Sequence, residues 1–200
     1  HGEDIHKATA AKVFGVAIEE VNKDMRSKAK AVNFGIIYGQ GAFGLAQNLG
    51  IPRGEAKAII ESYFQQFSSL KSYQHETIEF AKKNGFIETI LGRRRYLADI
   101  NSANAVVRGF AERNAINAPI QGSAADSIKV AMVNLHWEMK QRKMRSRMIM
   151  QVHDELVFDA HLSEVDELKI LVAEKMSGAL QMRVPLVVDM NTGANWLEAH

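Results

Sequence analysis

Apolar residues recur with a helical period through the first two thirds of the chain and with a strand-like period after that. Asp4 is placed to cap a helix through Phe14, and Gly15 to end it. A second helix is expected from a cap at Asp24 to about Gly39. Its buried stripe would be Met25, Ala29, Val32 and Ile36, successive steps of four, three and four residues. Phe43 to Leu49 reads as a short helix stopped by Gly50 and Pro52. Glu55 to Phe67 and Leu70 to Lys83 read as two amphipathic helices, closed by Asn84-Gly85. Phe86–Ile90 and Arg95–Leu97 flank Leu91-Gly92-Arg93 as a hairpin. A helix is predicted from Ala103 to Ala118, where Pro119 should stop it, and another from near Gln121 to about Gln141.

The character then changes. Met148–Val152 and Leu156–Phe158 are β-rich runs joined by His153-Asp154-Glu155. Ser163 with Asp166 resembles a capping box for a helix that turns Val165, Leu168, Val172 and Met176 inward. Val184 to Met190 reads as a last strand, with Pro185 pushing it to a sheet edge. Helices followed by a β-β-α-β unit give an α+β fold, divided somewhere between Ile100 and Gln121.

Composition narrows the class. With 46% hydrophobic and 24% charged residues over 200 positions, the chain suits one medium domain or two small ones. No apolar run approaches the roughly 20 residues of a membrane-spanning helix. His1-Gly2-Glu3-Asp4 lacks the plan of a signal peptide. The absence of cysteine removes disulfides and thiolate metal sites. Charge is uneven despite a formal net of +2. Lys23 to Lys57 carries six basic residues against two acids, and Asp154 to Glu198 nine acids against three basic residues. A basic front and an acidic rear suit a polyanion for one part and metal for the other, and also fit ordinary solvated faces.

Three patterns carry candidate chemistry. Arg26, Lys30, Phe34 and Tyr38 fall four apart, so they share one helical stripe opposite the apolar face. Two cations one turn apart can hold a chain of phosphates, and the aromatics offer a flat surface to a sugar or base. Gly35 and Gly39 leave room beside them for another group. Next, Gln151-Val152-His153-Asp154-Glu155-Leu156 sets two acids at the tip of a glycine-free hairpin, a setting in which Asp154 could hold Mg²⁺ through oxygen. His153 with two acids is too few ligands for zinc. Third, Arg113, Asn117 and Gln121, again four apart, can reach the minor-groove acceptors that every base pair presents. Arg93, Arg94 and Arg95 add a basic loop suited to phosphates. A competing motif is Gly39-Gln40-Gly41-Ala42-Phe43-Gly44, which matches G-x-G-x-x-G, with Glu61 where a ribose-binding acid belongs. A dinucleotide-binding oxidoreductase would need a parallel strand soon after, where residues 53 to 83 look helical.

Together these stretches resemble family A DNA polymerases, the bacterial DNA polymerase I type. Asp4-Ile5-His6-Lys7-Ala8-Thr9-Ala10, the Arg26–Gly39 block, Asn117-Ala118-Pro119-Ile120-Gln121-Gly122 and Val152-His153-Asp154-Glu155 occur in the family's order, and the ending from Asn195-Trp196 to Ala199-His200 is similar too. Arg26–Gly39 corresponds to the family's motif B and His153-Asp154-Glu155 to motif C. The resemblance implies a mostly helical fingers subdomain over residues 1–107 and part of an antiparallel-sheet palm over 108–200. It implies that His6, Arg26 and Lys30 contact the triphosphate of the incoming nucleotide and that Phe34 faces its sugar, disfavouring dideoxynucleotides. Tyr38 would stack near the templating base. Arg113, Asn117 and Gln121 would line the primer-template minor groove, with His153 near the primer end. Asp154 would bind metal, with Glu155 nearby, and two Mg²⁺ ions would serve the intact enzyme.

The expected partners are primer-template DNA, dNTPs and the remaining palm and thumb, which would supply motif A and its second metal-binding aspartate. The resemblance places that motif upstream of the matched residues, so this chain alone is expected to lack polymerase activity. A cytoplasmic, nucleoid-associated protein without membrane contact is implied. A non-catalytic nucleic-acid or nucleotide-binding module remains the alternative.

Overall fold

The computed structural model describes residues 4–199. His1 to Glu3 and the His200 of the family-like ending lie outside the described residues. The chain divides into two units, one of residues 1–88 and 92–119, the other of 89–91 and 120–200.

The first unit begins with α1 (Ile5–Phe14), as expected. The Asp4 carboxylate accepts from the backbone N–H groups of His6 and Lys7, and Gly15 ends the helix at φ 65°. The next helix, α2 (Lys23–Ile37), is capped by Asn22 rather than Asp24, because the Asn22 side-chain oxygen reaches the Met25 N–H. Asp24 instead lies in the first turn, where its charge favours the helix dipole, and pairs with Lys28 at 2.9 Å. The helices α3 (Ala42–Leu49), α4 (Arg53–Gln66) and α5 (Ser68–Asn84) follow. Val32 and Ile36 from α2, Leu45 from α3, and Ala56 and Tyr63 from α4 form one core. Strands β1 (Phe86–Glu88) and β2 (Arg94–Tyr96) pair antiparallel, with Ile87 opposite Arg95. Ile87 joins Ala81, Leu97, Ile100, Ala111, Ala115 and Ala118 in a second core.

Pro119 does not end a helix. A single helix, α6, runs from Ala105 to Gln141 with Pro119 inside it. The ring costs a backbone donor, but Ala115 and Ala118 before it and Ala131 and Leu135 after it are buried. Apolar burial on both flanks outweighs the local penalty of the proline.

In the second unit, β3 (Arg147–Val152) pairs antiparallel with β4 (Glu155–Asp159), with a register irregularity between Met148 and Met150. Then come a 3₁₀ turn (Leu162–Glu164) and α7 (Val165–Ser177). The expected capping box at Ser163 is not used. The His161 ring accepts from the Ser163 N–H, and the 3₁₀ turn feeds α7 directly. Leu168, Leu171 and Val172 of α7 pack with Leu135 and Met139, while Val165 and Met176 are half-buried. Residues 184–190, expected as a strand, have no strand partner among the described residues and are irregular. A strand exists only through pairing, and Val187 is 85% exposed. Trp196–Ala199 forms a last helical turn, α8. The α+β class holds, with helices predominating and two small antiparallel hairpins. No described helix is long and apolar enough to cross a membrane.

Glu164 ties the start of β3 to the 3₁₀ turn. Its carboxylate accepts from the backbone N–H of Arg145 at 3.0 Å, from that of Ser146 at 2.8 Å and from the Ser146 hydroxyl at 2.6 Å. These donors, the Arg145 N–H foremost, lower its pKa from 4.5 to about 2. The folded state holds the proton more weakly than the unfolded one. The stabilisation is therefore fully present above pH 4.5 and is lost as pH falls toward 2. Glu164→Gln should lower the melting temperature by several degrees at pH 7, and its gap to the parent should close between pH 4.5 and 2. Thermal melts across that range check this, and a gap independent of pH would refute it.

Candidate active-site surface

The first unit carries the cation and aromatic stripe. Arg26, Lys30 and Phe34 are exposed on α2, and Tyr38, half-buried, is its C-cap. The Lys30 ammonium lies 5.9 Å from the centre of the Phe34 ring. Phe34 and Tyr38 stack with centres 6.0 Å apart, and the His6 ring sits 5.7 Å from Phe34, tilted by 42°. Lys30, Phe34 and Tyr38 thus stand in line as the spacing implied, and His6, which the resemblance alone brought in, stands against Phe34. Arg26 is committed differently, because its Nε donates to the Asp4 carboxylate at 2.7 Å. The Arg26 guanidinium is the largest cause holding the Asp4 carboxyl below its usual range, followed by the backbone N–H of Lys7.

The stripe is held by residues that periodicity did not single out. Asn33, on the inner side of α2, is only 1% exposed. Its carbonyl oxygen accepts from the Thr9 hydroxyl at 3.0 Å, and its nitrogen lies 2.9 Å from His6 Nδ1. Gln74 of α5 donates to the Ile36 carbonyl at 2.7 Å, satisfying one of the open acceptors at the end of α2. A polar residue beside the apolar stripe is the sequence signal for Asn33. Gln74 carries none, since its partner lies 38 residues away.

The glycines do not leave empty space. A Cβ at Gly35 would meet the Gln40 side-chain oxygen, and one at Gly44 would lie 2.8 Å from Gln40 Nε2. Gln40 therefore fills the room that Gly35 was expected to offer an outside group. Gly39 has φ 76°, and a Cβ there would approach the Ile116 side chain at 2.9 Å. Gly39→Ala should cost about 1–2 kcal/mol from the left-handed backbone alone. Urea denaturation checks this, and an unchanged midpoint would refute it. Beside this turn lies a cavity of about 710 Å³ lined by Phe34, Tyr38, Gln40, Phe43 and Arg113 among others.

The dinucleotide reading fails on this geometry. Ile36-Ile37 ends a helix rather than a strand, and Arg53–Gln66 and Ser68–Asn84 are helices with no parallel strand between them. Gly41 is simply the N-cap of α3.

On α6, Arg113 is exposed with its guanidinium 5.9 Å from the Phe110 ring. Asn117 follows one turn later, and its side-chain oxygen is buried without a hydrogen-bond partner. Gln121 is exposed and belongs to the second unit. Of the three arginines expected in a loop, Arg94 and Arg95 lie in β2, where pairing with β1 draws them into the hairpin. Arg94 pairs with Glu88 at 2.8 Å and lies over Phe86, while Arg95 donates to Asn114 at 3.4 Å.

The β3–β4 hairpin turns on two residues, His153 and Asp154, since Glu155 already opens β4 opposite Val152. His153 has φ 53° and Asp154 does not share that sign, the pattern of a type II′ turn. The turn replaces the glycine usual there with a histidine in a rarely populated conformation, a feature found at functional sites. Asp154 is exposed, and Glu155 Oε1 accepts from the Trp196 indole at 3.0 Å. The flanking strands are partly exposed. Among the described residues no three His, Cys, Asp or Glu side chains gather as a metal site. Asp154 fits Mg²⁺ as one carboxylate ligand, the usual number being one or two with water completing the shell.

Comparison with known proteins agrees with the sequence reading. A sequence model of the family described as DNA polymerase family A matches residues 1–198. The DNA polymerase I of Lactococcus lactis subsp. lactis is 51% identical over 200 residues, covering 100% of this chain and 23% of that protein. That of Bacillus subtilis is 48% identical over 196 residues, covering 98% and 22%. Among solved structures, the POL domain of Pol1 from M. smegmatis, in complex with DNA primer-template and dNTP, superposes with a TM-score of 0.92 at 46% identity. That match covers 99% of this chain and 35% of the other. The chain thus spans about a quarter of the length of the curated relatives it matches.

Proposed function

The chain belongs to DNA polymerase family A, and from that premise we propose that it supplies the nucleotide grip and one metal-binding carboxylate of a template-directed DNA polymerase. The carrying observation is the exposed stripe on α2, with Lys30, Phe34 and Tyr38 in line and His6 against Phe34. In this reading residues 1–107 act as the fingers and residues 108–200 as part of the palm. The primer 3′-hydroxyl oxygen bonds to the α-phosphorus of the dNTP, its proton passes to solvent, and the bond to the bridging oxygen breaks to release pyrophosphate.

The candidate site residues divide that exchange among them. Lys30 and His6 face the triphosphate and balance charge that builds on the leaving group. Arg26 reaches the same phosphates once it exchanges its contact with Asp4. Phe34 packs on the sugar, and Tyr38 sits by the templating base. Arg113, Asn117 and Gln121 follow the minor groove, where the buried, unpaired oxygen of Asn117 suits an ordered water or a donor. Asp154 would hold metal, Glu155 is steadied by Trp196, and His153 lies by the primer end. Two Mg²⁺ ions, when bound, supply Lewis-acid activation of the hydroxyl and stabilisation of pyrophosphate. Primer-template DNA, dNTPs and the rest of palm and thumb are its partners, and the bacterial nucleoid is where it meets them.

Single-nucleotide primer extension by the full-length protein tests the reading. Mg²⁺-dependent addition of the templated nucleotide is expected. Salt-sensitive DNA binding by folded protein with no templated addition would overturn it in favour of a non-catalytic binding module.

A further inference from the structure

Asn33 is assigned no part in the nucleotide grip, yet it is the most deeply buried polar side chain beside it, at 1% exposed. Its amide joins α1 to α2 through three contacts. The side-chain oxygen accepts from Thr9 Oγ1 at 3.0 Å. The nitrogen lies 2.9 Å from His6 Nδ1 and 3.5 Å from the Ile5 carbonyl oxygen. A carbonyl oxygen can only accept, so the end of the amide that faces it must be the nitrogen. Reversing the amide would set its oxygen against the Ile5 carbonyl oxygen, two acceptors facing each other beside a side chain only 1% exposed, whereas the Thr9 hydroxyl can donate or accept and so admits either end.

The orientation has a consequence for the histidine. An amide nitrogen only donates, so the His6 Nδ1 that meets it must present its lone pair. The neutral imidazole then carries its proton on Nε2, the nitrogen away from Asn33. We propose that Asn33, held by Thr9 and oriented by the Ile5 carbonyl, is a positioning residue that locks His6 as an Nε2–H donor toward the triphosphate of the incoming nucleotide. This rests on the nucleotide-gripping role proposed above for His6. Asn33 acts through His6 and touches no substrate. Its second effect is to fix the ring beside Phe34, 5.7 Å away, so the donor and the sugar platform are set by one buried hydrogen-bond chain.

The test uses the full-length protein labelled with ¹⁵N-histidine, with the His6 signals assigned by their loss in His6→Gln. Without nucleotide, His6 should show a pyridine-type Nδ1 and a protonated Nε2. A protonated Nδ1 with a bare Nε2 would overturn the proposal without any variant being needed. Asn33→Asp, which keeps the shape but can only accept, should move the proton onto Nδ1, and an unmoved proton would overturn it. Asn33→Leu, confirmed as folded by its melt, should raise the KM for dNTP about tenfold, the scale of one charge-assisted hydrogen bond, with kcat within about twofold. An unchanged KM in Asn33→Leu, where His6→Ala raises it, would overturn the positioning role. If His6→Ala leaves KM unchanged, the nucleotide role of His6 fails, and with it the purpose assigned to Asn33, even where the Nε2–H form is seen.

Discussion

Asp154→Asn in the full-length protein should reduce nucleotide incorporation by at least about a thousandfold while leaving primer-template binding within about threefold. The size follows from the charge. A catalytic metal contributes several kcal/mol of transition-state stabilisation, and each 1.36 kcal/mol is a factor of ten in rate. Replacing a carboxylate ligand with a neutral amide of the same shape removes attraction for the ion while keeping the hairpin. The fold has little stake in the change. Asp154 is exposed at a two-residue turn, and the positive φ falls on His153, not on it. The partial rescue of a weakened ligand set by Mn²⁺, which binds nitrogen and oxygen sites more tightly than Mg²⁺, should be measurable. Rapid-quench incorporation beside equilibrium DNA binding checks the prediction. A rate within tenfold of the parent would remove Asp154 from the metal site.

Most of the fold was legible because most of its punctuation is local. Asp4 and Gly15 delimit α1 through contacts no more than four or five residues long, and Gly50 and Gly85 end helices in the left-handed conformation. Local rules failed where distant burial decided. Pro119 is a helix breaker by its own chemistry, but apolar positions on either side of it are buried. Asp24 and Asn22 are both competent caps two residues apart, and only the geometry of the entering chain selects Asn22. Residues 184–190 have the composition of a strand, but composition cannot supply the neighbour that makes one.

The candidate site divides in the same way. The steps of four from Arg26 to Tyr38 made the stripe readable, because a helix converts spacing into direction. The support beneath it was not readable. Asn33 meets Thr9 across 24 residues, Gln74 meets Ile36 across 38, and Gln40 occupies the space beside Gly35 only because the chain turns at Gly39. The glycine-rich match misled for a related reason. Its letters fit a phosphate-binding loop, while its backbone belongs to the end of one helix and the start of another. Motifs of this kind acquire meaning only from the elements around them.

Lys30→Ala should lower kcat/KM for dNTP by about a hundredfold to a thousandfold in the full-length protein, with most of the loss in the incorporation step. A single preorganised donor aimed at developing charge contributes about 2.7–4 kcal/mol in a water-excluded site, which corresponds to that range. Lys30 is exposed, so its side chain supports no core, and α2 should keep its stability. The Phe34 ring, 5.9 Å from the ammonium, also attracts it, so the variant loses a small orienting contact as well. Lys30→Arg separates the two contributions. It restores charge and the ring contact but replaces a compact ammonium with a planar fork, and should recover part of the rate. Dideoxy-terminated primer gives the complementary measurement. With chemistry blocked, the affinity of Lys30→Ala for dNTP should fall far less than its incorporation rate, because the charge it balances grows only as pyrophosphate departs. Equal losses in ground-state affinity and in kcat/KM would make Lys30 a simple binding residue, and near-parental incorporation would remove it from the grip altogether.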